Sequence, residues 1–351
     1  MRVVVTGGAG FIGSALVRHL VLERGDDVCT IDKLTYSGSL DNLEAVGASQ
    51  NHRFERADIC DGAKIRSIVH DFMPDAIMHL AAESHVDRSI DGPAAFIQTN
   101  VVGTFQLLEV AREYAPRRGD SFRFLHVSTD EVFGSLGPTG SFDEETPYKP
   151  SSPYSASKAA SDHLARAWCE TYGLPVLVTN CSNNYGQYQF PEKLIPLTIL
   201  KAIQGQPIPV YGDGKQVRDW LHVNDHVRGL LRALERGRPG RTYNIGGSCE
   251  LTNLFVVESI LKSVAQRMKR DERDLRALIQ FVTDRPGHDR RYAIDPGRMR
   301  DELGWVAQTE FSKGIDDTVG WYFENLAWCR RRSNMYAGQR LGVVGTEAHV
   351  G

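Results

Sequence analysis

Short apolar runs alternate with longer stretches of helical spacing through the first half of the chain. Runs at 2–6, 27–32, 52–55, 76–80, 123–128 and 175–180 read as strands. Helical stretches lie between most of them, clearest over 93–114 and 155–171, and Ile12, Leu16 and Leu20 recur at i, i+4 after the first run. Several strands are almost wholly apolar, as expected when helices cover both faces of a parallel sheet. The alternation predicts an α/β protein built on a Rossmann-type doubly wound parallel sheet. The binding crevice of such a sheet lies outside the carboxyl ends of its strands. The segments just beyond those ends (7–13, 32–37, 58–59, 81–88, 128–131 and 181–185) are polar or small, so all six should face one cleft.

After about residue 185 the alternation loosens, and Pro, Gly and aromatic residues become frequent at 187–191 and 206–214. Residues 1–185 are therefore assigned to the larger domain, completed by about 218–246, where 241–246 reads as a returning strand, and by part of 290–300. Residues 186–217 and 247–325 form a smaller, mixed substrate-binding lobe. The polar stretch 330–351 reads as a surface tail.

The first turn carries the most specific chemistry. GGAGFIG at 7–13 fits both G-x-G-x-x-G (Gly8, Gly10, Gly13) and G-x-x-G-x-x-G (Gly7, Gly10, Gly13). With a strand before it and a helix after it, such a turn sets bare backbone N–H groups and a helix N-terminus against a pyrophosphate. Asp32, at the end of the second strand, stands where a carboxylate receives the adenosine ribose hydroxyls, and it would repel a 2′-phosphate. The cofactor expected is NAD rather than NADP, although Lys33 stands beside that acid.

Composition narrows the function only by exclusion. The 351 residues are 41% hydrophobic and 24% charged with a formal net charge of −3, which gives no reason to expect nucleic acid or an anionic membrane as partner. No apolar run is long enough to cross a bilayer, and the chain enters a core strand without a signal-peptide layout. Six cysteines show no C-x-x-C spacing, so reduced thiols and a cytoplasmic location are expected.

Three constellations are candidates for chemistry. Tyr154 and Lys158 form Y-x-x-x-K, which on a helix puts both on one face, where the ammonium, helped by the positive nicotinamide ring, favours an ionised phenol able to act as a base. Ser128 precedes the pair at a strand end; the alternative is a packed Tyr with a surface Lys. Asp130 and Glu131 adjoin at the same strand end, where mutual repulsion can leave one protonated and the other a base, unless they are simply solvated loop acids. Lys193, Arg218, Arg285 and Arg291 suit a diphosphate as a group, although each alone reads as a surface charge. His222 and His226 lack a third ligand, so no metal is assigned and a packed or hydrogen-bonded pair is expected. His85, at a cleft strand end, is a substrate contact or a loop brace.

The motifs VTGGAGFIGS, HLAAESHVDRS, STDEVFG, YSASK and CSNNYG together resemble the extended short-chain dehydrogenase/reductases. Within them the chain resembles the dTDP-glucose 4,6-dehydratase family from residue 1 to about 325, through IDKLTYSGSLDNL, FPEKLIPLTI, YGDGKQVRDWLHV, YNIGG and DRPGHDRRYAID. The Asp130–Glu131 pair separates this family from related epimerases. The resemblance implies dTDP-glucose as substrate. Tyr154, with Lys158 and Thr129, would deprotonate the C4 hydroxyl during oxidation by NAD. Glu131 would then remove the C5 proton, and Asp130 would protonate the departing C6 hydroxyl. It implies a cofactor site of Gly7, Gly10, Phe11, Ile12, Gly13, Asp32, Lys33, Leu34, Thr35, Ser37, Asp58, Ile59, Leu80, Ala81, Ala82, Ser84, Thr99, Ser128, Tyr154, Lys158, Cys181 and Asn184. It implies substrate contacts from Ser84, His85, Thr129, Asn183, Lys193, Leu194, Pro209, Tyr211, Arg218, Asn253, Arg285, His288 and Tyr292. A homodimer is implied, with helices 93–114 and 155–171 packed across a two-fold axis. Phe133 stands where the family usually has Tyr, and Gln187 where Pro is common.

Overall fold

In the computed structural model, which describes residues 1–284 and 288–333, alternate residues of the first strand enter different cores. Val3 and Val5 pack with Leu16, Leu20 and Leu230, whereas Val4 packs with Ile65, Leu107 and Val176. That alternation is what a sheet covered on both faces requires. The strands are β1 (Arg2–Thr6), β2 (Asp27–Asp32), β3 (His52–Arg56), β4 (Ala76–His79), β5 (Arg123–Thr129) and β6 (Val176–Cys181). They continue with β7 (Asn183–Tyr185), β8 (Ile208–Tyr211), β9 (Val217–His222), β10 (Thr242–Ile245), β11 (Glu250–Thr252) and β12 (Ile279–Val282).

Among the described residues a seven-stranded sheet runs in the order β10–β6–β5–β4–β1–β2–β3, with every neighbouring pair parallel. The strand order reverses beside β1, whose two neighbours are β2 and β4, and that is where a doubly wound sheet opens its crevice. Register brings the strand ends level: Thr6 lies opposite both Ile31 and His79, and Thr129 opposite Cys181. The pairing sets strand limits within one residue of those the apolar runs predict.

The returning strand joins this sheet as β10, parallel to β6, and helix Val223–Arg236 packs its Val227, Leu230 and Leu234 into the same core. Residues 218–222, expected to return with them, lie instead in β9, which pairs with β7 and β11 in a three-stranded mixed sheet. The buried carboxylate of Asp219 holds them there by accepting the backbone N–H groups of Gly247 and Cys249. A two-stranded sheet, β8–β12, completes the smaller lobe, whose own core includes Ile199, Val257, Ile260 and Tyr322.

Two helices carry the inner side of the cleft. Helix Pro153–Tyr172 starts two residues before the predicted limit because Ser152 and Ser155 form a capping box and Pro153 occupies the first turn. It stops at Gly173, whose φ of +68° is the left-handed exit that favours glycine. The stretch 93–114 is helical throughout but contains a wide π turn, Ile97–Gly103, between helices Pro93–Phe96 and Thr104–Tyr114. The turn presents Asn100 to Glu83, exchanging two hydrogen bonds with its backbone, and to Ser157 of the long helix. At the far end of the chain, 330–333 are not the start of a surface tail. They finish helix Leu326–Ser333, with Arg331 paired to Asp41 and Arg332 buried. The rest of the expected tail, 334–351, lies outside the described residues. Among the described residues no helix is long and apolar enough to cross a membrane, and none of the six cysteines is bridged.

Candidate active site

A cavity of about 300 Å³ lies at the carboxyl ends of the parallel strands, and all six strand-end segments contribute to its lining or its rim. At one end the wall is Gly7, Gly10, Phe11, Ile12, Gly13, Asp32, Lys33, Thr35 and Ser37, continued by Ile59, Leu80, Ala81, Ala82, Ser84 and Thr99. At the other end it is Ser128, Thr129, Asp130, Glu131, Tyr154, Lys158, Cys181, Asn183, Asn184 and Lys193. Candidates drawn from widely separated sequence segments thus share one space.

The glycine turn is built for close approach. Gly7 has φ +71°, and a Cβ there would lie 2.6 Å from the backbone nitrogen of Ala81. A Cβ on Gly13 would lie 2.2 Å from the carbonyl oxygen of Gly7. Helix Phe11–Arg18 opens at Gly10 with no side-chain cap and no acid in its first turn, so its leading N–H groups face the cavity free to meet an anion. Asp32 accepts the N–H groups of Ala9 and Leu34, which ties the turn to β2, and its two oxygens keep further acceptor sites. Burial raises its pKa, an effect these two N–H groups oppose. Lys33 is fixed elsewhere, donating to Thr99 Oγ1 at 3.2 Å and lying 3.5 Å from Asp58. The cradle, the uncapped helix end and the ribose-side acid fit a dinucleotide.

At the other end the polar groups are buried and tightly partnered. Thr129 hydrogen-bonds to the Tyr154 phenol and lies 3.3 Å from Asp130 Oδ1, while Asp130 Oδ2 is buried without a partner. Burial first, then the charges of Glu131 and Asp219, hold the Asp130 carboxyl well above the usual range, which favours its protonated form. Lys158 Nζ donates to Val127 O at 2.9 Å.

The Y-x-x-x-K spacing is expected to give an ionised phenol beside a positive nicotinamide ring, and the chain by itself holds the phenol neutral. Burial, and then the charges of Glu131 and Cys181, push Tyr154 well above its ordinary value, while Lys158 spends a donor on a carbonyl. Desolvation together with a nearby carboxylate outweighs one ammonium, so the phenol is neutral in the chain alone.

Several predicted residues do not line this cavity. Leu34, at φ +58°, packs against the sheet core, and Asp58 sits behind Lys33. His85 caps helix Val86–Asp91 and lies 3.8 Å from Glu192. Leu194 packs on the smaller lobe's core, Pro209 lies in β8 opposite Gln280, and Asn253 starts a helix capped by Thr252. Arg218, Tyr211, His288 and Tyr292 group beyond the acidic pair. The Arg218 guanidinium stacks 4.3 Å over the Tyr292 ring and donates to Val217 and Asp289 carbonyls. Tyr211 reaches Asp87 at 3.5 Å, and His288 Nδ1 lies 2.6 Å from Asp284. Arg291 pairs with Glu250, and Arg285 lies outside the described residues. His222 caps its own helix and His226 bonds Asn184, and among the described residues no metal-ligating cluster forms.

Sequence reading missed Tyr36, Glu83, Gln189, Phe190 and Glu192, which also line the cavity. Tyr36 and Glu83 fall inside strand-end segments already marked, so position alone could have found them. It also missed Asp162, wholly buried, which accepts from Ser128 Oγ at 2.7 Å and Tyr148 at 2.9 Å and bonds His126 at 2.9 Å.

A family model described as GDP-mannose 4,6 dehydratase matches residues 4–318. The chain is 54% identical to dTDP-glucose 4,6-dehydratase of Escherichia coli, over 98% of this chain and 100% of that one. Among solved structures it is similar to DesIV, a dTDP-glucose 4,6-dehydratase of Streptomyces venezuelae with NAD bound. The TM-score there is 0.87 at 45% identity, covering 95% of this chain and 100% of that one. UDP-glucose 4-epimerase of Thermus thermophilus, also with NAD, gives a TM-score of 0.81 at 29% identity, covering 93% and 100%. The fold is thus shared with epimerases, but nearly full-length identity above one half, together with the Asp130–Glu131 pair, lies on the dehydratase side. The chain belongs to the dTDP-glucose 4,6-dehydratase family.

Proposed function

We propose that this chain is an NAD-dependent hydro-lyase that converts dTDP-glucose to dTDP-4-keto-6-deoxyglucose and water. The observation that carries this is the Asp130–Glu131 pair: a buried carboxyl held protonated, its Oδ2 unpartnered, beside a second acid on the wall that bears Tyr154. Elimination of water needs an acid and a base at one ring at the same pH, and unequal burial of adjacent carboxyls supplies both. Gly7, Gly10, Gly13 and Asp32, with Thr99 beside Lys33, would hold the cofactor's pyrophosphate and ribose, and Tyr154 and Lys158 its nicotinamide end. Bound NAD supplies a positive ring that favours the phenolate, a hydride acceptor for C4 and a hydride donor for C6. Tyr154 Oη, hydrogen-bonded to Thr129, takes the C4 hydroxyl proton, and Lys158 provides standing positive charge on the same helix face. The C4 ketone acidifies C5, Glu131 removes that proton, and Asp130 passes its own to the C6 oxygen, which leaves as water; Glu131 would then return its proton to C5 of the unsaturated ketone as C6 is reduced.

Lys193, Arg218 and His288 suit the diphosphate and base, with the smaller lobe holding the nucleotide and the parallel-sheet body the cofactor. A homodimer accounts for Ile97, Phe105 and Tyr172, which are 49, 37 and 52% exposed on adjoining parts of 93–114 and Pro153–Tyr172. The unbridged cysteines suit the cytoplasm.

The test is incubation with dTDP-glucose, followed by the alkaline absorbance of a 4-keto sugar. Keto product from dTDP-glucose is expected; its absence rejects the dehydratase, and conversion of UDP-glucose to UDP-galactose would make the chain an epimerase. Sedimentation velocity checks the dimer.

A further inference from the structure

The loop that follows β2 lines the cavity through Thr35, Tyr36, Ser37 and Gly38, yet no strand pairs with it. A loop with unpaired carbonyls holds one position only if donors reach it from elsewhere. They come from the last helix described, Leu326–Ser333, about 290 residues away in sequence. Arg332 Nη2 donates to Tyr36 O at 2.7 Å and Gly38 O at 3.5 Å, and its guanidinium lies 5.3 Å over the ring of Phe190, another cavity residue. Trp328 Nε1 donates to Asn42 Oδ1 at 3.0 Å, and Asn42 Nδ2 donates to Ala9 O at 2.8 Å, inside the glycine turn. Arg331 pairs with Asp41 at 2.9 Å between these two points. Arg332, Trp328 and Asn42 are all buried, so these bonds are shielded from water.

We infer that the C-terminal helix is a positioning element for the cofactor: Arg332 and Trp328 hold the 35–42 loop and the glycine turn in the geometry that retains NAD. This rests on the cofactor reading above. Neither residue lines the cavity, so neither touches the reacting atoms. The helix acts through Tyr36, Gly38 and Ala9, and removing its donors should raise the rate of NAD release while leaving the sugar side unaltered.

The experiment uses the full chain, stripped of nucleotide and reloaded with NAD. Arg332→Ala and Trp328→Phe are compared with the parent for NAD dissociation rate, NAD retained through gel filtration, and thermal unfolding without nucleotide. Trp328→Phe keeps an aromatic ring against Tyr188 and Trp321 while removing the N–H donor and part of the indole. Arg332→Ala should speed dissociation by about tenfold, for the two bonds its guanidinium makes to Tyr36 O and Gly38 O, and Trp328→Phe by about threefold, for its one bond. Nucleotide-free Tm of Trp328→Phe should fall by only a few degrees, for one buried hydrogen bond and part of a ring, whereas its Tm rise on adding NAD should be smaller than the parent's; at saturating NAD its KM for dTDP-glucose should be unchanged. Equal NAD release in parent and both variants would overturn the inference and leave the functional reading standing. Faster release accompanied by an equally lowered nucleotide-free Tm in both variants would also overturn it, by showing a helix that merely stabilises the fold. A parent chain that takes up no NAD would overturn both.

Discussion

The two walls of the cleft hold their polar groups in different ways. On the parallel-sheet side His126 is buried on β5, Asp130 just past its end, and Lys158 and Asp162 on the long helix that packs against it. Burial works against the Asp162 charge, yet hydrogen bonds from His126 and Ser128 keep its carboxylate below the usual range, so a fixed anion stands one helical turn from Lys158. On the smaller-lobe side Lys193 and Tyr211 are half-buried and make longer contacts, to Ser84 O at 3.4 Å and to Asp87 at 3.5 Å, although Arg218 and Tyr292 beyond them are buried. Proton transfer needs groups whose charge state is set in advance, and burial on rigid elements sets it. Gripping a nucleotide needs only positive charge and donors within reach, which half-exposed side chains provide. The sheet side is therefore built for chemistry and the lobe side for recognition.

The largest break in that division should come from the base. Glu131→Gln keeps the shape and removes proton affinity, so kcat should fall by about 10³-fold. Reduced nicotinamide should accumulate on the enzyme, because oxidation at C4 does not need this carboxylate. Stopped-flow absorbance of the loaded variant decides it; unchanged turnover would remove Glu131 from the mechanism. A smaller loss, about 10²-fold in kcat, is expected of Asp130→Asn. Its stability should move the opposite way. The folded-state pKa of Asp130 is raised, so its contribution is intact below the unfolded carboxyl pKa and is lost as pH rises toward the folded value. At neutral pH the parent bears that cost and the amide does not, so Tm should rise in the variant at pH 7 and converge with the parent near pH 3. A lower Tm at pH 7 would mean that Asp130 is not held protonated against its environment.

What the sequence makes legible follows from how local each signal is. Gly7–Gly13, Asp32 and the Tyr154–Lys158 spacing lie within one turn or one helix, so the residue pattern alone points to their grouping. The doubly wound sheet is legible because apolar runs and helical spacing alternate. Asp162 is not: its spacing puts it on the helix face of Tyr154 and Lys158, but nothing local shows that β5 brings His126 and Ser128 against it. Glu192 and Arg88 meet across 104 residues at 3.1 Å, and nothing local to either announces the pair. What opposes the Tyr154 phenolate in the chain alone is hidden for a related reason: spacing shows the ammonium, but burial and the neighbouring charges come from the whole fold.

The recognition wall offers the finest test. Arg218 stands between the two walls: its guanidinium lies over Tyr292, is held by two carbonyls, and opposes the upward shift of Asp130. Arg218→Lys keeps the charge and gives up the planar fork and the stacking. If the lobe side serves binding alone, KM for dTDP-glucose should rise about tenfold, the loss of one charged hydrogen bond, with kcat within about twofold of the parent. The pH dependence of kcat then decides how separate the walls are. A retained ammonium close to the guanidinium's place would leave the alkaline limb unmoved. If it settles farther from Asp130, the carboxyl loses a positive neighbour, its pKa climbs further, and the alkaline limb moves to higher pH. A fall in kcat at every pH with KM unchanged would show that Arg218 belongs to the chemistry, and the division between walls would have to be drawn on its other side.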